Sequence, residues 1–445
     1  MSSSSRHRPA AHPHPGVLPF PVSPGGPSRR SSAVPENCSS SARSTRSARS
    51  TGSAPRPGRR LLAAALALPI AVAGLAVASP ASAAPSTPAA PAVVPSGPTA
   101  SVTLGDSYIS GEAGRWKGNA AGTGGGRNGT DRAWTGSSYD PSRVYGATAA
   151  SGCDRSDVAE VLSASTGAQN EIDLACSGAV SANVFRAANG GQSLKGEAPQ
   201  ADQLATVARQ NNVKLITLSI GGNDLGFSDV ISTCVQDYLI WYSYCHDSAQ
   251  SGIDAKMPAA MAGVGKAIDE IRAVMAGAGY AQSDYRLVLQ SYPSPIPRGA
   301  EMRYPESGWT RSNTGGCPFW DGDADWARDS MVPQISQALA GVAAAKGAQF
   351  LDLSDMLQGR EVCSTATRQP TASSGPSATT SEWARFLDGG LNSTQGVLQE
   401  SMHPNYYGQQ AVGRCLTLLW ARPSGDYACR NTAGQDASGM YLTAR

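Results

Sequence analysis

The chain predicts an α/β fold of three α/β/α layers, built on a mainly parallel sheet of five strands. Five runs of apolar and β-branched residues, at 100–104, 172–175, 213–220, 285–290 and 349–353, are interleaved with helix-like stretches at 199–210, 255–276 and 324–345. The strongest run, Val213-Lys214-Leu215-Ile216-Thr217-Leu218-Ser219-Ile220, is almost wholly apolar. A strand needs that composition when helices bury both of its faces. Strands alternating with helices pair in parallel, because each crossover helix packs back over the sheet. Ligands of such sheets bind beyond the carboxyl ends of the strands. The segments that follow the runs are therefore where chemistry is expected.

Residues 1–60 are rich in Ser, Arg, Pro and Ala, with one acidic residue, Glu36, and no apolar periodicity. Such a segment cannot bury enough apolar surface to offset the entropy of ordering, so it reads as a disordered polar leader. Residues 61–83 follow Arg59-Arg60 as an apolar run, interrupted by Pro69 and Gly74 and closed by Ala81-Ser82-Ala83. A basic region, an apolar region and a small-x-small cleavage site in that order mark an export signal. A membrane anchor competes, since the run is near spanning length. Pro69, the alanine content and the cleavage site favour removal instead. Residues 84–99 are then a linker, 100–429 the folded domain and 430–445 a polar tail. A secreted protein with no stable membrane anchor is expected.

Removing the leader changes the charge. It holds ten arginines and one glutamate, which leaves 26 basic against 33 acidic residues, a formal charge of −7. That balance excludes a basic nucleic-acid footprint. Eight cysteines follow the leader, an even set suited to an oxidising compartment. Sequential pairing, each bridge closing a local loop, gives Cys153–Cys176, Cys234–Cys245, Cys317–Cys363 and Cys415–Cys429.

Four strings stand at strand ends or before the last helical stretch, 406–420: Gly105-Asp106-Ser107-Tyr108, Cys176-Ser177-Gly178-Ala179, Gly221-Gly222-Asn223-Asp224 and Glu400-Ser401-Met402-His403-Pro404. A serine on a sharp turn after a strand exposes its hydroxyl. Histidine is the side chain suited to take that proton near neutral pH. Beyond the leader the chain has two histidines, His246 and His403. His246 sits between Cys245 and Asp247 in an apparent disulfide loop and reads as structural, which leaves His403 as the base. Asp106 and Asp224 read as turn-holding carboxylates.

Singly these strings are weak; their order makes them specific. Together they resemble the SGNH/GDSL hydrolase family, whose blocks run GDS, a glycine, GxND and an acid three residues before His-Pro. The likeness spans residues 101–419 and is similar to secreted, disulfide-linked bacterial esterases and lipases, with Cys153 to Cys363 matching their three bridges. It implies a flavodoxin-like sheet and a catalytic set of Ser107, His403 and Glu400. It also implies an oxyanion hole of the Ser107 and Gly178 backbone N–H groups with the Asn223 amide. Glu400 departs from the usual aspartate, and some secreted relatives orient the histidine with a backbone carbonyl instead.

No cofactor or metal is implied. Asp321, Asp323 and Asp325 have calcium-loop spacing, but Val332 stands where the closing glutamate belongs. They read as an exposed acidic helix start. Leu239-Ile240-Trp241-Tyr242, Trp309, Trp320 and Trp326 are candidates for an acyl wall or for core packing. The expected activity is carboxylic ester hydrolysis by a monomer acting on a small-molecule or lipid ester. A phospholipase A, a polysaccharide deacetylase and a catalytically silent disulfide-stapled binding protein are the alternatives. The Gly-rich residues 111–150 and Ser/Thr-rich residues 364–382 read as surface excursions.

Overall fold

The structure, a computed structural model, describes residues 96–121, 124–388 and 398–445. The expected leader and export signal, and the linker up to residue 95, lie outside the described residues. One sheet contains β1 Thr99–Gly105, β2 Asn170–Asp173, β3 Asn212–Ser219, β4 Arg286–Gln290, β5 Gln349–Asp352, β6 Tyr427–Arg430 and β7 Tyr441–Ala444. The spatial order is β2-β1-β3-β4-β5-β6-β7. Every neighbouring pair is parallel except β6 with β7.

The first five strands are the expected parallel set, in a doubly wound 2-1-3-4-5 order. Two more extend the sheet beyond β5. The segment expected to be a polar tail carries β7, which pairs Tyr441 with Arg430 and Ala444 with Tyr427. Its side chains are mostly exposed, so this edge strand lacks the apolar signal of a buried one.

The helices that matter for the site are α1 Ser107–Ser110, α2 Gln200–Gln210, α3 Gly222–Leu225, α4 Phe227–Gln236, α5 His246–Gly277, α6 Asp321–Trp326, α7 Val332–Lys346 and α8 Tyr406–Trp420. α5 begins earlier than its apolar periodicity does. The Asp323 carboxylate accepts the N–H groups of Cys245 and His246 there, and so caps the first turn. The third helical stretch runs from α6 through a π-helical turn at Ala327–Met331 into α7, with Pro333 just after that turn. The wider turn shifts the hydrogen-bond register next to a residue that has no N–H to give.

Side-chain alternation divides the core between the two faces of the sheet. Leu287 and Leu289 of β4 pack with Ile268 and Ile271 of α5, whereas Val288 joins Leu351 of β5 and Leu416 of α8. Helices bury both faces, as the apolar runs required. The 111–150 excursion is not a surface loop throughout: Arg115, Trp116, Asn119 and Ala133 are fully buried. A polar network explains that burial, for Arg115 Nε and Nη2 each donate to Asp131 at 2.7 Å. Cystines join Cys153–Cys176, Cys234–Cys245, Cys317–Cys363 and Cys415–Cys429. The last ties α8 to β6.

Two buried carboxyls beside the sheet each keep one oxygen without a hydrogen-bond partner, Glu160 Oε1 and Asp173 Oδ2. Burial pushes Glu160 up from 4.5 to about 8 and Asp173 up from 3.8 to about 7. The folded state therefore holds these protons more tightly than the unfolded chain, and stability declines as pH rises through that window. Thermal unfolding should occur several degrees lower at about pH 9 than at about pH 5.5, with Glu160→Gln reducing the difference. A midpoint that is flat or rising over this range would contradict the assignment.

Candidate active site

The sheet order reverses between β1 and β3, and the crevice opened at such a switch point is where the fold takes a ligand. Gly105 ends β1 at φ 140°, and a Cβ there would lie 1.9 Å from the Ser219 carbonyl oxygen. Only glycine lets the two strand ends approach this closely. Its backbone is held twice by Gln200 of α2, which donates to Gly105 O at 2.8 Å and accepts from Gly105 N at 2.7 Å. Asp106 then caps α1 by accepting the Tyr108 N–H at 3.1 Å. Ser107 occupies the first position of α1, where a backbone N–H has no acceptor within the helix.

The β2 and β3 loops are tied to that turn. Asp106 also accepts the hydroxyl of Tyr292, which in turn accepts the Gly222 N–H at 3.0 Å. Asn223 Nδ2 donates to Ala179 O at 2.9 Å, and Asp224 accepts both the backbone and hydroxyl of Ser181. Asp224 thus binds the β2 loop to the β3 loop rather than its own turn. Between them Gly178 has φ 82°, and a Cβ there would meet nothing within 4 Å. Its backbone faces open space.

His403 comes from the far end of the chain. Its Nε2 lies 2.7 Å from Ser107 Oγ, and its Nδ1 lies 2.9 Å from the Ser401 carbonyl oxygen. With the proton on Nδ1, that carbonyl accepts it and Nε2 is left to accept from the serine. The turn before α8 is fixed from several sides. Arg385 N donates to His403 O at 2.9 Å, Met402 N to Arg385 O at 2.7 Å, and Tyr108 Oη to Met402 O at 2.8 Å. Met402 stands at φ 63°, a left-handed conformation that costs free energy in a side-chain-bearing residue and persists because the surroundings over-determine it. Asn405 caps α8 by accepting the N–H groups of Tyr407 and Gly408.

Glu400 does not reach the imidazole. Its Oε2 accepts Trp116 Nε1–H at 2.6 Å, its Oε1 accepts the Tyr145 hydroxyl at 2.6 Å, and Arg115 Nη1 lies 4.0 Å away. The carboxylate is committed to the buried 111–150 excursion, so it anchors the histidine turn and the Ser401 carbonyl replaces it as the group on Nδ1. The carboxyl beside the Ser107–His403 pair is Glu112, with Oε2 3.6 Å from His403 Nε2. Sequence reasoning passed over Glu112, although α1 and the left-handed Gly111 that ends it turn the chain back onto Ser107. Burial raises Glu112 from 4.5 to about 8, holding it neutral near pH 7. Burial acts oppositely on His403, lowering it from 6.5 to about 4. A neutral imidazole is the form able to accept a proton.

Residues 103–411 match the model of the GDSL-like Lipase/Acylhydrolase family. The chain belongs to this family. It is a hydrolase of ester bonds. Among solved structures it is similar to an extracellular lipase from Streptomyces rimosus and a phospholipase A1 from Streptomyces albidoflavus. Each is 22% identical with a TM-score of 0.39, over 73% of this chain and over 100% and 98% of theirs, respectively. A carbohydrate acetylesterase from Sinorhizobium meliloti is 11% identical with a TM-score of 0.27, over 62% of this chain and 92% of that one. No curated protein matches the sequence.

In this GDSL hydrolase an apolar cavity opens beside the Ser107–His403 pair, its empty volume ≈ 660 Å³ including the mouth. Tyr108 and Met402, the sequence neighbours of that pair, line it together with Phe227, Ile231, Phe319 and Trp326. Tyr108 also packs on the imidazole, ring centroids 4.7 Å apart. Of the aromatic candidates Trp326 lines the cavity, whereas Trp241 and Trp309 are exposed. His246 bonds Asp323 at 2.8 Å, away from the serine. The three aspartates of the acidic string diverge: Asp321 pairs with Arg311, Asp323 caps α5 and Asp325 accepts from Gly299 N. Asp323 is buried by that capping role, not exposed.

Because Glu400 anchors rather than orients, Glu400→Gln should act mainly on stability. The amide turns one acceptor oxygen into a donor facing another donor, at a cost of about 1–3 kcal/mol. Melting and steady-state kinetics together should show a lower Tm with kcat reduced less than about tenfold. A fall near 10⁴-fold, typical when an orienting acid is neutralised, at unchanged Tm would contradict this role.

Proposed function

We propose that this GDSL hydrolase is a secreted serine esterase that cleaves carboxylic esters whose acyl chain enters the apolar cavity. The observation that carries the proposal is the 2.7 Å approach of His403 Nε2 to Ser107 Oγ at the switch point of the sheet. Ser107 attacks the ester carbonyl carbon as His403 takes the hydroxyl proton, and the carbonyl electron pair moves onto oxygen. That oxyanion is received by the backbone N–H groups of Ser107 and Gly178 and by the Asn223 amide. The imidazolium returns its proton to the departing alcohol, leaving an acyl-serine. Water, deprotonated by the same imidazole, then releases the carboxylic acid.

The cavity supports an acyl chain rather than a sugar as the recognised group, since Phe227, Ile231, Phe319 and Trp326 offer almost no hydrogen-bonding atoms to a hydroxyl-rich ligand. The four cystines support an oxidising destination, in line with the export signal read from the leader.

A fluorophosphonate probe tests the nucleophile directly. The wild type should be labelled covalently and Ser107→Ala should not. Ile231→Trp should slow labelling by a long-alkyl probe more than by a methyl one. A folded wild type that resists labelling would overturn the serine mechanism, and equal slowing with both probes would remove the cavity as the acyl site.

A further inference from the structure

Large apolar side chains are normally scattered singly over a protein surface, but here four crowd one short loop. Ile240, Trp241, Tyr242 and Tyr244 are 60%, 68%, 54% and 40% exposed, all between Cys234 and Cys245, which are bonded to each other. The cystine closes the loop and limits its collapse onto the protein. Trp320 supports it from below, its ring centroid 4.8 Å from Tyr238, 6.4 Å from Tyr242 and 6.3 Å from Tyr244. Cys234 at the root of the loop and Phe319 beside Trp320 both line the apolar cavity. The patch is thus linked to the cavity wall through the Cys234–Cys245 cystine and the Phe319-Trp320 pair.

The charges around the patch are acidic. Asp237 opens the π-helical turn Asp237–Trp241 inside the loop, and Glu306 and Asp321 act on Tyr238 and Tyr244. Asp247, in the first turn of α5, is fully exposed. The cation that acts on Tyr238, Arg311, is buried and paired with Asp321 at 2.7 Å. An anionic surface would be repelled by this collar. A trimethylammonium group is attracted both by carboxylates and by the faces of Trp and Tyr rings. Aromatic side chains with one polar edge are also those that settle at headgroup depth.

We infer that the loop closed by Cys234–Cys245 docks the protein on a choline-headgroup lipid surface. Ile240 and Trp241 enter the boundary between headgroups and acyl chains, while the tyrosines and the acidic collar meet the choline cations. Docking by itself needs no catalysis. The consequence that a lipid acyl chain then passes along the patch into the cavity rests on the esterase reading above.

Flotation of the full-length secreted protein with phosphatidylcholine vesicles tests the inference, with Trp fluorescence as a second readout. The wild type should float with the vesicles and shift its emission to the blue, weakly affected by salt. It should bind phosphatidylglycerol vesicles less. The Ile240→Ser, Trp241→Ser double variant should lose at least about tenfold in partitioning, given the apolar area withdrawn, while hydrolysing a soluble short-chain ester as the wild type does. A wild type that stays with the soluble fraction, or a variant that floats equally well, would overturn the docking role. So would a wild-type dimer that the variant converts to monomer, since the face would then belong to a second copy. Vesicle binding without any soluble-ester turnover would remove the catalytic reading and leave the docking one standing.

Discussion

A single hydrogen bond, from Ser107 Oγ to His403 Nε2, joins residues 296 positions apart and sets what the surrounding structure must do. Neither side chain can find the other through local structure. The serine is fixed by the close approach of β1 to β3 at Gly105 and by the Asp106 cap, and the histidine by the turn that enters α8. Tyr108 bridges the two, donating to Met402 O and packing against the imidazole. Gln200, Tyr292 and Asp224 then bring the ends of β1, β3 and β4 into register with the Gly178 loop. Sheet topology supplies the crevice, and these polar ties give it fixed dimensions.

The choice of a backbone carbonyl for Nδ1 has an electrostatic consequence. A carboxylate there would favour the imidazolium and raise its pKa, whereas a carbonyl fixes the tautomer with a weaker pull. Burial then prevails and His403 remains neutral far into acid. The carboxyls that do surround the pair are dealt with separately. Glu400 is held by Trp116, Tyr145 and Arg115, and burial pushes it up to about 7. Glu112, closer to Nε2, is kept protonated by burial. The anchor lies behind the turn, and the face toward the serine is neutral.

Much of this was legible in the chain because strand ends carry local signals. The runs before Ser107, Gly178 and Asn223 are apolar enough to locate three loops at one edge of a parallel sheet, and the pattern after Pro404 locates the last helix. Glu400 was misread for a physical reason. Its position three residues before His403 is a local feature, but the destination of its side chain is decided by Arg115, Trp116 and Tyr145. Those residues lie in a Gly-rich excursion with no periodicity to announce that it would be buried. Likewise β6 and β7 are only four residues long: β7 is the exposed edge and needs no apolar composition, and β6, between β5 and β7, buries just Ala428 and Cys429, too short a run to stand out as β3 does. Asp323 does stand in the acidic first turn of α6, but it is buried rather than exposed because it accepts the Cys245 and His246 N–H groups that begin a different helix.

The central claim is that His403 is a neutral base, with its proton on Nδ1 facing the Ser401 carbonyl and with Nε2 open to Ser107. Nitrogen NMR of the imidazole in the folded protein reads both the tautomer and the titration. The account predicts a proton on Nδ1 from neutral pH downward, with charging only on approach to about 4. A proton on Nε2, or titration at or above the ordinary histidine value of 6.5, would contradict it.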